Sequence, residues 1–226
     1  MKKFLLTEKF TAFTLAEVII TIGIIGIVAA MTIPNLINNY KNNIVETKLK
    51  KIYSIMNQAI NLSENTNGNI ETWDFENANF LKTYITPYLN HANIKEISSN
   101  NKYSSIYLID GSLLITKNII YGTNLGANSE FFFYPDAKNF VEEEFFNRQH
   151  GGSKFFLFKL VYPNSYCNPY QRKGFEPYLC AFNKTDNPYI DGLYACNKEN
   201  SFKFLCTYVI QRNGWKIPDD YPIKVK

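Results

Sequence analysis

Cysteine is missing from the first two-thirds of the chain, and histidine is scarce throughout. The four cysteines, Cys167, Cys180, Cys196 and Cys206, all fall late, no Cys-x-x-Cys occurs, and the two histidines, His91 and His150, stand apart from them. That spacing excludes the usual zinc frameworks and matches disulfides in an oxidising compartment. Neighbouring pairs, Cys167 with Cys180 and Cys196 with Cys206, close the shortest loops, although all three connectivities remain open. Charge of one sign is also lacking. The formal net charge is only +4, and part of it comes from Lys2, Lys3 and Lys9 against Glu8 at the extreme N-terminus. Neither a nucleic-acid footprint nor a trap for acidic substrates is implied.

Enzymatic signatures are missing as well. No phosphate loop, dinucleotide fingerprint or zinc-protease helix is present. His150-Gly151-Gly152 has no Gly-x-Ser-x-Gly elbow to serve and reads as a turn. Glu142, Glu143 and Glu144, with Asp136 nearby, lack the alternating acidic ligands that calcium needs and read as a solvated face. No metal, cofactor or catalytic residue is expected.

What the chain does have is one long apolar run. Residues 13–33, FTLAEVIITIGIIGIVAAMTI, are apolar apart from three threonines and Glu17. About 21 residues at a rise of 1.5 Å reach roughly 30 Å, the thickness of a bilayer core. Backbone groups must be paired inside lipid, so a helix is expected despite the many β-branched residues. An ordinary cleaved signal peptide has a shorter apolar core followed by a small-residue cleavage site. Lysines flank both ends, with Lys41, Lys48, Lys50 and Lys51 beyond the run, so they do not decide sidedness. Paired cysteines do, by placing the C-terminal part outside the cytosol.

Glu17 is the informative residue, because a carboxylate at the start of a membrane span is costly and is retained where it has a partner. Snorkelling to the headgroups is the simpler reading. Thr11-Ala12 followed by Phe13-Thr14-Leu15-Ala16-Glu17 and the apolar run resembles the cleavage and methylation signature of type IV pilins and type II secretion pseudopilins. The resemblance implies a prepilin peptidase cutting between Ala12 and Phe13 and N-methylating Phe13. It also implies that Glu17 neutralises the terminal amine of a neighbouring subunit during assembly. The family usually has Gly before the cut, where this chain has Ala12. Removing the leader leaves a mature charge of +2. Gly26 and Pro34 sit where pilin helices carry helix-weakening residues, and the same two positions equally suit close helix packing and a kink at the membrane exit.

Beyond Pro34 the helical period continues through Val45, Leu49, Ile52, Met56 and Ala59, with Ile44, Tyr53 and Ile60 widening the stripe and Lys41, Glu46, Lys48, Lys50 and Lys51 on much of the remainder. The helix is expected to end near Ser63, where Asn65, Asn67 and Gly68 follow. Further expectations are a second helix over 77–86, a hairpin of 104–109 and 113–117 about Asp110-Gly111, and strands over 131–134, 155–161 and 202–210. Long helix plus small antiparallel sheet is an α+β architecture, and it resembles the pilin lollipop. Cys206-Thr207-Tyr208-Val209-Ile210 and Asn213-Gly214-Trp215-Lys216-Ile217-Pro218-Asp219-Asp220-Tyr221-Pro222 resemble the closing segment of bacterial proteins that share this N-terminus; Trp215 and Tyr221 read as a packed end-cap.

The organisation expected is a leader over 1–12, a transmembrane and assembly helix over 13–33, its amphipathic continuation over 34–63 and an extracytoplasmic globular domain over 64–226. The resemblance implies a non-enzymatic, single-pass subunit of the bacterial cytoplasmic membrane, incorporated into a pilus or pseudopilus. Its partners would be the prepilin peptidase, other pilin or pseudopilin subunits, the membrane assembly platform with its cytoplasmic ATPase, and the bilayer, with no nucleic acid. The rival class is an extracytoplasmic enzyme or binding protein that uses the helix only as an anchor.

Overall fold

A computed structural model describes residues 13–75, 79–89, 94–99, 103–117, 130–146, 150–162, 173–179, 187–190 and 192–226. The chain divides into two units, residues 1–40 and 41–226. Helix α1, Leu15–Asn67, contributes to both.

In the first unit the large apolar side chains of α1 are exposed, including Ile20, Ile25, Met31 and Leu36, as is Phe13 just before the helix. The helix is long and apolar enough to cross a membrane. Its threonines are satisfied within it: Thr21 Oγ1 donates to the Val18 carbonyl at 2.8 Å and Thr32 Oγ1 to that of Val28 at 2.9 Å. Neither hydroxyl therefore brings an unpaired donor to an apolar solvent.

In the second unit the predicted stripe of α1, Val45, Leu49, Ile52, Met56 and Ala59, is buried, joined by Ile60 and Ser63. The helix runs one turn past its expected end because the polar residues there have partners. Asn67 donates to Ser63 Oγ and Tyr88 Oη, and Glu64 accepts from Ile70 N at 3.0 Å. The stop is Gly68, whose φ of +77° suits the left-handed position after a helix.

The expected helix over 77–86 is replaced by shorter turns. Residues 77 and 78 lie outside the described residues, and a π-helical turn at Leu81–Ile85 leads into a 3₁₀ turn at Thr86–Tyr88. Pro87 sits at the start of that second turn, where its missing N–H is no loss, instead of beyond a helix end.

Six strands follow: β1 (Ile94–Ser99), β2 (Tyr103–Leu108), β3 (Leu113–Lys117), β4 (Glu130–Tyr134), β5 (Phe156–Val161) and β6 (Gly174–Pro177). They form an antiparallel meander in that order, with Ser105 opposite Ile115 and Phe131 opposite Phe158. The expected hairpin is present. Gly111 N donates to the Leu108 carbonyl, Leu108 N donates to that of Ser112, and Gly111 takes a φ of +79°. This is the three-residue loop with glycine in the left-handed position. Strands β1 and β6 were not expected; β6 has four residues, with glycine and proline at its ends, which weakens any strand signal.

Strands β4 and β5 are buried on both faces, which is why they read as nearly continuous apolar runs. Phe131, Phe133, Phe156, Phe158 and Leu160 pack with the stripe of α1. Phe132, Tyr134 and Leu157 pack with Phe155, Tyr178 and Phe204. That second layer corrects the strand expected over 202–210. Phe204 is buried in a turn, and a short helix α3, Cys206–Arg212, follows. Thr207, Tyr208, Val209 and Ile210 favour strands, but burying Cys206, Val209 and Ile210 at helical spacing overrides the preference. The helix closes in a Schellman motif, with Trp215 N donating to the Ile210 carbonyl and Gly214 N to that of Gln211, at Gly214 φ +68°.

The expected end-cap is built from Trp215 and Tyr221. The Trp215 ring lies 4.9 Å from that of Tyr53, and the Tyr221 hydroxyl donates to the Gly152 carbonyl at 2.7 Å. Asn57 of α1 meets β6 through both ends of its amide. Its Nδ2 donates to the Phe175 carbonyl and its Oδ1 accepts from Phe175 N, each at 2.9 Å. Gly174 is required for this approach, since a Cβ there would stand 2.5 Å from Asn57 Oδ1.

The hairpin tip is tied to α1 by lysines. Lys48 Nζ donates to the Asp110 and Pro135 carbonyls, and Lys51 Nζ to Asp110 Oδ2 at 2.8 Å. Burial alone would raise the Asp110 pKa, but the bonds from Lys51 and Ser112 outweigh it and hold the carboxyl below its ordinary value. A depressed folded-state pKa gives stability that is complete above the unfolded value and lost as pH falls through the folded one. The gap in urea midpoint between the wild type and Asp110→Asn should therefore be constant above about pH 5 and shrink below about pH 4. A gap that widens in acid would contradict the assignment.

Candidate functional site

The charged start of α1 is the first candidate. Among residues 13–40, Glu17 is the only ionisable acid or base apart from Tyr40. Thr14 precedes the helix as its N-cap, and Glu17 is its third residue. Glu17 Oε2 accepts from Thr14 N and from Thr14 Oγ1, both at 2.8 Å, while Glu17 N donates to Thr14 Oγ1 at 3.3 Å. This reciprocal arrangement is a capping box, which satisfies donors that a helix start leaves unpaired. The Thr-x-x-Glu spacing was legible in the sequence, and its capping role was not read from it. Glu17 thus has a local partner in a single copy of the chain.

Phe13 is the first described residue and is 85% exposed, whereas Ala12 lies outside the described residues. Neither Gly26 nor Pro34 breaks α1. An added Cβ at Gly26 would meet nothing within 4 Å, so nothing in a single copy presses on that position. Pro34 has no N–H to give to the preceding turn, which leaves a weakened rung inside a continuous helix.

Of the cysteines, Cys196 and Cys206 form a buried disulfide with a Cα separation of 4.7 Å. Cys167 and Cys180 lie outside the described residues. His150 occupies a turn at φ +71°, and its carbonyl accepts from Ser153 N and Lys154 N. Asp136 caps a short 3₁₀ turn by accepting from Lys138 N, and Glu144 in helix α2, Glu142–Phe146, pairs with Lys154. Among the described residues no group of three or more His, Cys, Asp or Glu is placed to hold a metal ion.

Glu46 corrects the sequence reading most clearly. Assigned to the charged remainder of α1, it is instead buried, accepting from Ile217 N at 2.9 Å and from Lys216 Nζ at 2.7 Å. It thereby fastens the segment after α3 to α1, through charge-assisted bonds of the stronger kind. Glu176 does the same for β6, accepting from Tyr53 Oη and Gln211 Nε2. Only tertiary packing could reveal either one, since helical spacing alone places Glu46 beside the stripe without saying what covers it.

No curated protein and no solved structure matches the chain. A family model does match, described as a family of unknown function, DUF6613, over residues 35–225. The match begins one residue past Pro34, so residues 1–34, with the apolar run, fall outside it. It takes in the buried stripe of α1, the six-stranded meander, the disulfide and the end-cap, and by that match the chain belongs to the DUF6613 family.

Proposed function

We propose that the chain is a filament subunit of the type IV pilin and pseudopilin kind, cut between Ala12 and Phe13, methylated at Phe13 and assembled through the N-terminal part of α1. The observation that carries the reading is a bilayer-length N-terminal stretch of α1, within residues 13–33, whose apolar side chains are largely exposed and whose single acid, Glu17, stands four residues after Phe13. A carboxylate and a freshly exposed amine, each costly alone in low dielectric, compensate each other when helices pack. The chain would be a single-pass protein of the bacterial cytoplasmic membrane, with the disulfide-bearing unit outside the cytosol. The prepilin peptidase, other subunits, the assembly platform and the bilayer would be its partners, and its role would be structural, without catalysis.

The second reading is a plain anchor for an extracytoplasmic enzyme or binding protein. The capping box favours it specifically, because it gives Glu17 a task that needs no second copy. Glu17→Gln separates the two, since glutamine can still accept from Thr14 but carries no charge. Filament output or secretion should fail in both Glu17→Gln and Glu17→Ala, with membrane insertion intact in each. Normal output from Glu17→Gln assigns the acid to capping and removes the charge-pairing argument. Mass spectrometry of the mature protein should find N-methylated Phe13; a chain that keeps Met1 in cells with an active peptidase belongs to the plain-anchor class.

A further inference from the structure

A cavity of about 600 Å³ lies where three segments distant in sequence converge: the loop holding Pro188 and Tyr189, helix α3 with Val209 and Arg212, and the segment after it with Pro218 and Asp220. The volume is that of a small-molecule site. Pro188 and Val209 are buried and, with Pro218, give it an apolar lining, while Arg212 and Asp220 are exposed at its rim. The two charges do not pair with each other, and among the described residues neither makes an ion pair. Both act on one phenol: burial raises the Tyr189 pKa most, the Asp220 charge raises it further, the Arg212 charge opposes it, and a hydrogen bond between the phenol and the Asp220 carboxylate adds to the rise, leaving the remaining lone pairs of that carboxylate for a ligand. Two walls are fastened together, because Cys196 N donates to the Pro188 carbonyl at 2.8 Å, Asn197 Nδ2 donates to the Tyr189 carbonyl at 2.9 Å, and Cys196 is disulfide-bonded to Cys206 at the start of α3.

We infer that this cavity binds a small zwitterion with an apolar body, an α-amino acid or short apolar peptide, its carboxylate on Arg212, its ammonium on Asp220 and its side chain against Pro188, Val209 and Pro218. An unpaired guanidinium offers a carboxylate two parallel bonds. A separate carboxylate nearby complements an ammonium, and the apolar lining accounts for the remainder of the ligand. The inference does not depend on the membrane-helix reading.

Isothermal titration of the full chain in detergent micelles tests it, with L-leucine, isopentylamine, isocaproate and glucose as probes. L-Leucine should give saturable heat. The amine and the acid, each lacking one charge, should bind at least about tenfold more weakly, and glucose should not bind. Arg212→Gln and Asp220→Asn, checked for folding by circular dichroism, should each weaken L-leucine by a similar factor. The idea is overturned by absent L-leucine binding, by single-charge analogues binding as tightly as the amino acid, by glucose binding, or by folded variants that bind like the wild type. The analogue series needs no variant and decides the matter even where one misfolds.

Discussion

Phe158→Ala should lower the stability of the 41–226 unit by about 3–5 kcal/mol, the range for deleting a fully buried aromatic side chain. Phe158 has no exposed surface, and its ring stacks 4.5 Å from that of Phe175 and 6.4 Å from that of Trp215. Two separate pieces, β6 and the segment closing over α1, therefore lose a shared partner on β5. Natural domains of this size have about 5–15 kcal/mol in total, so the variant should stand close to its threshold. Urea titration followed by tryptophan fluorescence, to which Trp73 and Trp215 both contribute, measures the loss, and Phe158→Leu should recover part of it. A loss below about 1 kcal/mol would mean that the site collapses around the missing ring.

The second large effect is expected from Cys196→Ala with Cys206→Ala. The sequence separation of 10 gives about 2.7 kcal/mol by the loop-entropy relation, before any packing loss is added. Both cysteines are fully buried beside Val209, so truncation also leaves unfilled volume. A thermal melt of the double variant against the wild type under non-reducing conditions is the direct comparison. An unchanged midpoint would show that the hydrogen bonds from Cys196 N and Asn197 Nδ2 hold the loop alone.

Legibility in the sequence followed the range of the forces involved. The stripe Val45, Leu49, Ile52, Met56 and Ala59 was readable because one helix face repeats a single environment. The Asp110-Gly111 hairpin was readable because its turn requires a left-handed residue at a fixed place. The strand expected over 202–210 failed because the β-favouring Thr207, Tyr208, Val209 and Ile210 answer to tertiary burial instead of local preference. The candidate site divides in the same way. Glu17 stood out from its apolar neighbours, while the partnership with Thr14 depended on recognising a cap. Glu46, and the meeting of Tyr189, Arg212 and Asp220, are set by chain segments that come together only in the folded molecule.

The amide of Asn57 occupies both backbone groups of Phe175, the positions an added strand would need on the outer side of β6. Outermost strands are the usual templates for sheet-to-sheet joining between molecules, and this one is occupied by a side chain of the protein's own helix. Copies of the chain are thereby discouraged from zipping together through β6, and crowding need not turn into amyloid-like association along that border. Asn57→Leu would uncover it.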